Sequence, residues 1–156
     1  MKMAIRIIRQ EGDDVLRKQC RKVEMFDKKL AMLIDDMFDT MYDAGGVGLA
    51  APQVGILKRV VVIDTREEGE RLELVNPVIV YKKGEHETVE GCLSVPGVRG
   101  VVKRPKKVIV RAFDRYGKTH EYIGEELLAQ AMCHECEHLD GKLFTDKVIR
   151  YLDDDE

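Results

Sequence analysis

The helical patterns in this chain lie towards its two ends, and short strand patterns fill its middle. That order constrains the fold more than any other feature. "KKLAMLIDDMFDTMYDAGG" repeats Leu30, Leu33, Ile34, Met37, Phe38 and Met41 at three- and four-residue steps, the spacing of one helix face. Asp27 stands as its N-cap, and Gly45 or Gly46 as its stop. "GEELLAQAMCHECEHLDG" reads as a second helix, with glutamates in its first turn and Gly141 to end it. Between them, "RVVVID" reads as a strand and "LELVNPVIVY" as two strands separated at Asn76-Pro77. "KKVIVRAFDRYGKTHEYI" reads as a hairpin turning from Asp114 to Gly117. Helices segregated from strands predict an α+β fold rather than an alternating parallel one. With no internal repeat and no linker, the chain is expected to form one domain over residues 1–156.

Charge and apolar patterning exclude several classes of function. A net charge of −3 predicts no direct nucleic-acid binding. No apolar run approaches the length of a membrane span. The first residues, "MKMAIRIIRQEGDD", become charged too soon for a secretory signal. The four cysteines, Cys20, Cys92, Cys133 and Cys136, are then expected to be reduced thiols in a cytoplasmic setting.

Two patterns overlap on the second helix. His134-Glu135-Cys136-Glu137-His138 is H-E-x-x-H, and Cys133 to Cys136 is C-x-x-C. On a helix, His134 and His138 point the same way and can share one metal ion. Leu127 and Ala131 continue that face upstream as an apolar floor. Glu135 can reach a water on the metal without being a ligand, which is why this pattern signals metal-assisted hydrolysis. The C-x-x-C points instead to a structural zinc site or a redox dithiol. Structural zinc cysteines usually sit in a tight turn and redox dithiols at a helix start, and this pair is placed mid-helix to late-helix. One packed thiol and one half-exposed thiol is the plainer expectation.

A metal on the histidines needs a third protein ligand. The extended H-E-x-x-H-x-x-G-x-x-H pattern fails, because Phe144 stands at its last position. His86 and His120 lie among polar residues and read as solvated surface histidines. Asp140 and Asp146 would have to turn back towards the helix. Cys92, in "VEGCLSVPGVRG", is a further candidate, on a segment where Pro96-Gly97 predicts a turn. "GGVGLAAPQVG" imitates a dinucleotide fingerprint, but it follows a helix and carries Pro52 where a helix would have to begin. What it offers is a loop with one strong side-chain donor, Gln53.

Taken together, three stretches resemble the peptide deformylase family. Gly46 to Gln53 fits G-x-G-[LI]-[AS]-A-x-Q, and Glu90 to Ser94 fits E-G-C-[LI]-S. His134 to His138 fits H-E-x-D-H except that Glu137 replaces the aspartate. The resemblance runs from near the N-terminus to about Tyr151. It implies a fold of antiparallel strands wrapped around the motif helix. It implies Cys92, His134 and His138 as metal ligands, and Glu135 as general acid/base. It implies Gln53 and the Leu93 backbone N–H as oxyanion donors. Val47, Gly48, Glu90 and Gly91 would edge the peptide groove, and Leu127 and Ala131 would line a methionine pocket. Arg99 also stands where the family has an arginine.

The cofactor implied is one divalent ion, Fe²⁺ by family habit, with Zn²⁺, Ni²⁺ or Co²⁺ compatible with the same ligands. The partners implied are formyl-methionyl ends of new proteins, in passing proximity to the ribosome. The alternatives are a non-catalytic relative that binds N-termini and, behind it, a C-x-x-C redox or structural-zinc protein. Three features depart from the pattern. Glu137 is one methylene longer than aspartate and is expected to orient a ligand or pair with an arginine such as Arg104. Cys133 replaces a common glutamine directly before the first histidine, which sets a second thiol near the implied metal and leaves open whether it tunes the site or merely packs. The acidic end, Asp153 to Glu156, argues against a basic ribosome-docking helix.

Overall fold

A computed structural model describes residues 4–153 and Asp155. Met1 to Met3, Asp154 and Glu156 lie outside the described residues, and with them the start of the N-terminal stretch and half of the acidic tail. The first helix, α1 (Lys28–Asp43), forms where its periodicity predicts, and Asp27 caps it by accepting from Leu30 N–H. All six of its patterned apolar residues are buried. Five strands follow a short loop region: β1 (Gly48–Ala50), β2 (Val60–Asp64), β3 (Arg71–Lys83), β4 (His86–Cys92) and β5 (Val95–Arg104). Then come β6 (Lys107–Phe113), β7 (Thr119–Glu125), the helix α2 (Glu126–His138) and a short β8 (Arg150–Tyr151).

The strands make two antiparallel sheets, β1-β2-β3-β6-β7 and β4-β5-β8. The run "VVVI" in β2 shows why the larger sheet is central. Successive strand residues face opposite sides. Val60 and Val62 pack with α1 residues, while Val61 and Ile63 pack with Ala129, Met132 and Cys133 of α2. A strand covered on both faces has no solvent side, hence no polar alternation. The expected α+β class and motif helix packed among antiparallel strands are both present.

Two local expectations are corrected. Asn76-Pro77 does not separate two strands: β3 runs through it, with a register shift between Val75 and Val78. The missing proline N–H is absorbed at that bulge. Asn76 adopts φ 52°, and its buried amide exchanges hydrogen bonds with the Val23 backbone at 2.8 and 2.9 Å, anchoring the strand to the N-terminal segment. Nor does Pro96-Gly97 make the turn expected of it. The chain turns at Leu93-Ser94, and Pro96-Gly97 lies inside β5, where Gly97 takes φ 76°. The Asp114–Gly117 turn forms as expected.

Candidate metal centre and substrate cavity

Three separate pieces of the chain meet at one point. Helix α2 presents His134 and His138 with ring centroids 5.0 Å apart. Strand β4 ends in Cys92, whose Sγ is 3.4 Å from His138 Nε2. The ligand atoms of Cys92, His134 and His138 lie within 4.8 Å of one another, the one such group found among the described residues. The residues fit a divalent ion. One thiol and two imidazoles are a donor set for a transition metal. The tautomer of His134 is set from behind, because its Nδ1 bonds Glu90 Oε1 at 2.8 Å and leaves Nε2 for the site.

The surroundings of these residues are strongly charged and largely buried. Arg104 is 1% exposed and grips Glu90 through two hydrogen bonds, of 2.5 and 2.7 Å. Burial alone would raise the Glu90 carboxyl, but the bonds from Arg104 and His134 outweigh it and hold its pKa at about 2. Burial also opposes charge on His134; Glu135, Cys92 and Glu90 around it prevail and lift its pKa well above the ordinary imidazole value. His138 goes the other way, pushed down by burial and by its neighbour His134. Glu135 is buried, and burial raises its carboxyl to about 7. Its Oε1 is buried without a partner among the described residues, and its Oε2 lies 3.9 Å from His134 Nε2. A carboxylate kept this free of protein donors is available to a reacting group.

Gln53 reaches the same point from the short 3₁₀ turn Ala51–Val54 that follows β1. Its Oε1 accepts from Ala50 N–H at 2.9 Å, which fixes which end is the amide nitrogen. Nε2 donates to Ser94 Oγ at 3.0 Å and lies 3.5 Å from Cys92 Sγ. The N-terminal segment ties the two loops together: Arg9 N–H donates to the Gln53 carbonyl at 2.7 Å and Glu11 N–H to the Ser94 carbonyl at 2.8 Å.

A cavity of about 580 Å³ opens over these residues. Val47, Gly48, Glu90, Gly91, Leu93, Leu127, Ala131 and Arg99 all line it, as do Gln53, Cys92, His134 and Glu135. Glu90 is more than the groove edge expected of it, since it is buried and bonded to a histidine of the ligand group. Gly48 lines the cavity because nothing larger fits. A Cβ there would meet Glu135 Oε2 at 2.7 Å and Cγ at 2.9 Å. Gly48→Ala is therefore expected to displace Glu135 and lower turnover by up to about 100-fold, the cost of an ångström-scale misplacement. Metal content and circular dichroism should stay as in the wild type; full turnover in Gly48→Ala would show that the carboxylate has slack.

The remaining candidates fall elsewhere. Cys133 is buried in the core cluster that holds Val61 and Met132, whereas Cys92 packs against another, so of the two roles left open for it packing is the one its position supports. Burial raises both C-x-x-C thiols, Cys136 to about 12, which disfavours the thiolate that a redox or zinc site requires. His120 bonds Asp114 at 2.8 Å, and His86 is half-buried on β4, so neither is the freely solvated side chain expected. Glu137 does pair with Arg104, at 2.9 Å.

A Cys/His/His group beside a buried carboxylate, one oxygen of which has no hydrogen-bond partner among the described residues, at an open cavity, is the arrangement of a metal-dependent hydrolase. The chain belongs to the polypeptide deformylase family, whose model matches residues 5–153. It is 58% identical to the peptide deformylase of Acetivibrio thermocellus over 99% of this chain and 89% of that protein. It is 57% identical to that of Caldanaerobacter subterraneus over 99% and 96%. Its fold superposes on the crystal structure of a peptide deformylase from Legionella pneumophila with a TM-score of 0.90, at 53% identity, covering 93% of this chain and 86% of that one. For the Thermotoga maritima peptide deformylase the TM-score is 0.89 at 37% identity, with 94% and 99% covered.

Proposed function

We propose that this chain, as one catalytic domain, removes the formyl group from N-formyl-methionine at the start of newly made proteins. The observation that carries the reading is the convergence of Cys92, His134 and His138 within 4.8 Å, with Glu135 beside them, on a cavity whose wall includes Leu127 and Ala131. Cys92, His134 and His138 would hold one divalent ion, Fe²⁺ by family resemblance. When bound, such an ion supplies Lewis-acid polarisation and lowers the pKa of water towards neutrality.

The chain's own residues do the rest. Glu135 takes a proton from the attacking water and returns it to the departing amine. Water oxygen bonds to the formyl carbon, the carbon–nitrogen bond breaks, and formate leaves a free methionine N-terminus. Gln53 Nε2 and the Leu93 N–H donate to the formyl oxygen as its negative charge grows. Leu127 and Ala131 accept the methionine side chain. Val47, Gly48 and Gly91 offer backbone to an extended peptide, with Glu90 fixed behind them. The setting for such a substrate is the cytoplasm, close to the ribosome at the moment a chain emerges. No helix among the described residues is long and apolar enough to cross a membrane.

The test is formate release from formyl-Met peptides by protein purified without oxygen, with its metal measured. Stoichiometric formate and free amine are expected. Metal-loaded protein that binds the peptide and releases none would overturn the reading in favour of a non-catalytic binder.

A further inference from the structure

The charged group behind His134 extends further than the ligand needs. Arg104 places a third donor, Nη1, 2.9 Å from Glu137 Oε2. The same Glu137 oxygen accepts from Lys147 Nζ at 2.6 Å. The connection therefore runs Lys147, Glu137, Arg104, Glu90, His134, with every link a charge-assisted hydrogen bond. Arg104 and Glu90 are buried, Glu137 is 21% exposed at its side chain, and Lys147 is 43% exposed. Glu137 and Lys147 thus bring the outer end of a buried network to the surface. Glu137 also precedes His138 directly, so one helix turn carries both a ligand and the end of the network that orients the other ligand.

Resting on the metal-ligand reading above, we infer that Glu137 is a positioning residue for His134, acting through Arg104 and Glu90, and that Lys147 moderates its pull. Glu90 Oε1 is shared between Arg104 Nη2 and His134 Nδ1. While Glu137 holds part of the guanidinium, Glu90 keeps electron density for His134, and the imidazole is a stronger donor at Nε2. Without the Glu137 charge, Arg104 is drawn wholly onto Glu90, and His134 loses basicity. Lys147 competes with Arg104 for the same oxygen, so its removal acts in the opposite sense.

The predicted pattern is one of signs. Glu137→Gln should weaken Co²⁺ binding by on the order of 10-fold, the low end for loss of a group that orients a ligand. Glu137→Asp, which keeps the charge, should recover most of that loss. Lys147→Met should bind Co²⁺ as tightly as the wild type or more so. Combining Glu137→Gln with Glu90→Gln should weaken binding less than the product of the single effects, because both act on one path. Affinity is read by chelator competition, and the Co²⁺ d–d absorption bands report whether the ligand field has shifted.

Equal affinities and spectra for the wild type and Glu137→Gln would overturn the inference. So would equal weakening by Glu137→Gln and Lys147→Met, which would mark a merely structural ion pair. If Glu137→Gln does not fold, the exposed Lys147→Met and the charge-keeping Glu137→Asp carry the test: weakening by Lys147→Met, or an Asp variant that binds no better than chelator background, refutes it. Cys92→Ser runs in the same titration. If that variant binds like the wild type, the ligand assignment itself has failed, separately from the role of Glu137.

Discussion

Glu135→Gln is expected to lower kcat by about 10²–10⁴-fold, the usual contribution of a positioned acid/base, with metal content unchanged. The substitution is nearly isosteric. It keeps the volume that packs against Gly48, where the carboxylate leaves no room even for a methyl group. It also keeps a polar atom where Oε1 now has no protein partner. What it removes is the ability to accept and return a proton. Burial outweighs the opposing pull of the neighbouring His134 and lifts this carboxyl to about 7. A group poised between those influences exchanges protons readily near neutral pH. KM should change little, since the group acts on the transition state rather than on the bound peptide. Formate release under saturating substrate, alongside metal analysis of the same sample, measures this. Turnover within tenfold of the wild type in metal-loaded Glu135→Gln would remove Glu135 from the chemistry.

Local signals made the helices legible: the Asp27 cap, the six apolar residues of α1 and the four-residue step from His134 to His138 need nothing beyond their own turn. The C-x-x-C was legible as a pattern, and its late-helix placement already argued for one packed and one half-exposed thiol, as Cys133 and Cys136 are. Spacing alone does not reveal that Cys133 is buried in the core cluster that includes Val61 of the sheet. Strand breaks were the least readable feature. Asn76-Pro77 has the composition of a turn, yet the bulge in β3 and the bonds from Asn76 to Val23 carry the strand through it. The double role of Glu90 depends on the β4–β5 register, which brings Arg104 opposite His86 and its guanidinium back to Glu90. No periodicity encodes that; it is a property of paired strands. The signal that was present was an acidic residue directly before Gly91-Cys92.

Cys92→Ser should cost the most in metal affinity, by more than about 100-fold, because even indirect partners of a ligand are worth 10–100-fold. In the proposed three-ligand set the sulfur would supply the only negative charge, and a hydroxyl stays protonated where a thiol ionises on binding. The geometry makes replacement difficult. Sγ sits 3.4 Å from His138 Nε2 and 3.5 Å from Gln53 Nε2, at the end of a strand held in place by β5. A serine oxygen on a shorter bond would leave that contact distance and lose the softer donor. The thiolate-to-metal absorption of the Co²⁺ form should vanish with the affinity. Cys133→Ser and Cys136→Ser should leave both nearly intact, since neither thiol belongs to the converging group. Those controls separate the two patterns that overlap on α2. If metal is lost with the C-x-x-C pair and kept without Cys92, the histidine side of the helix is not the metal side. If it follows Cys92, the third ligand comes from a strand forty-two positions before the first histidine, a placement that only the fold brings together.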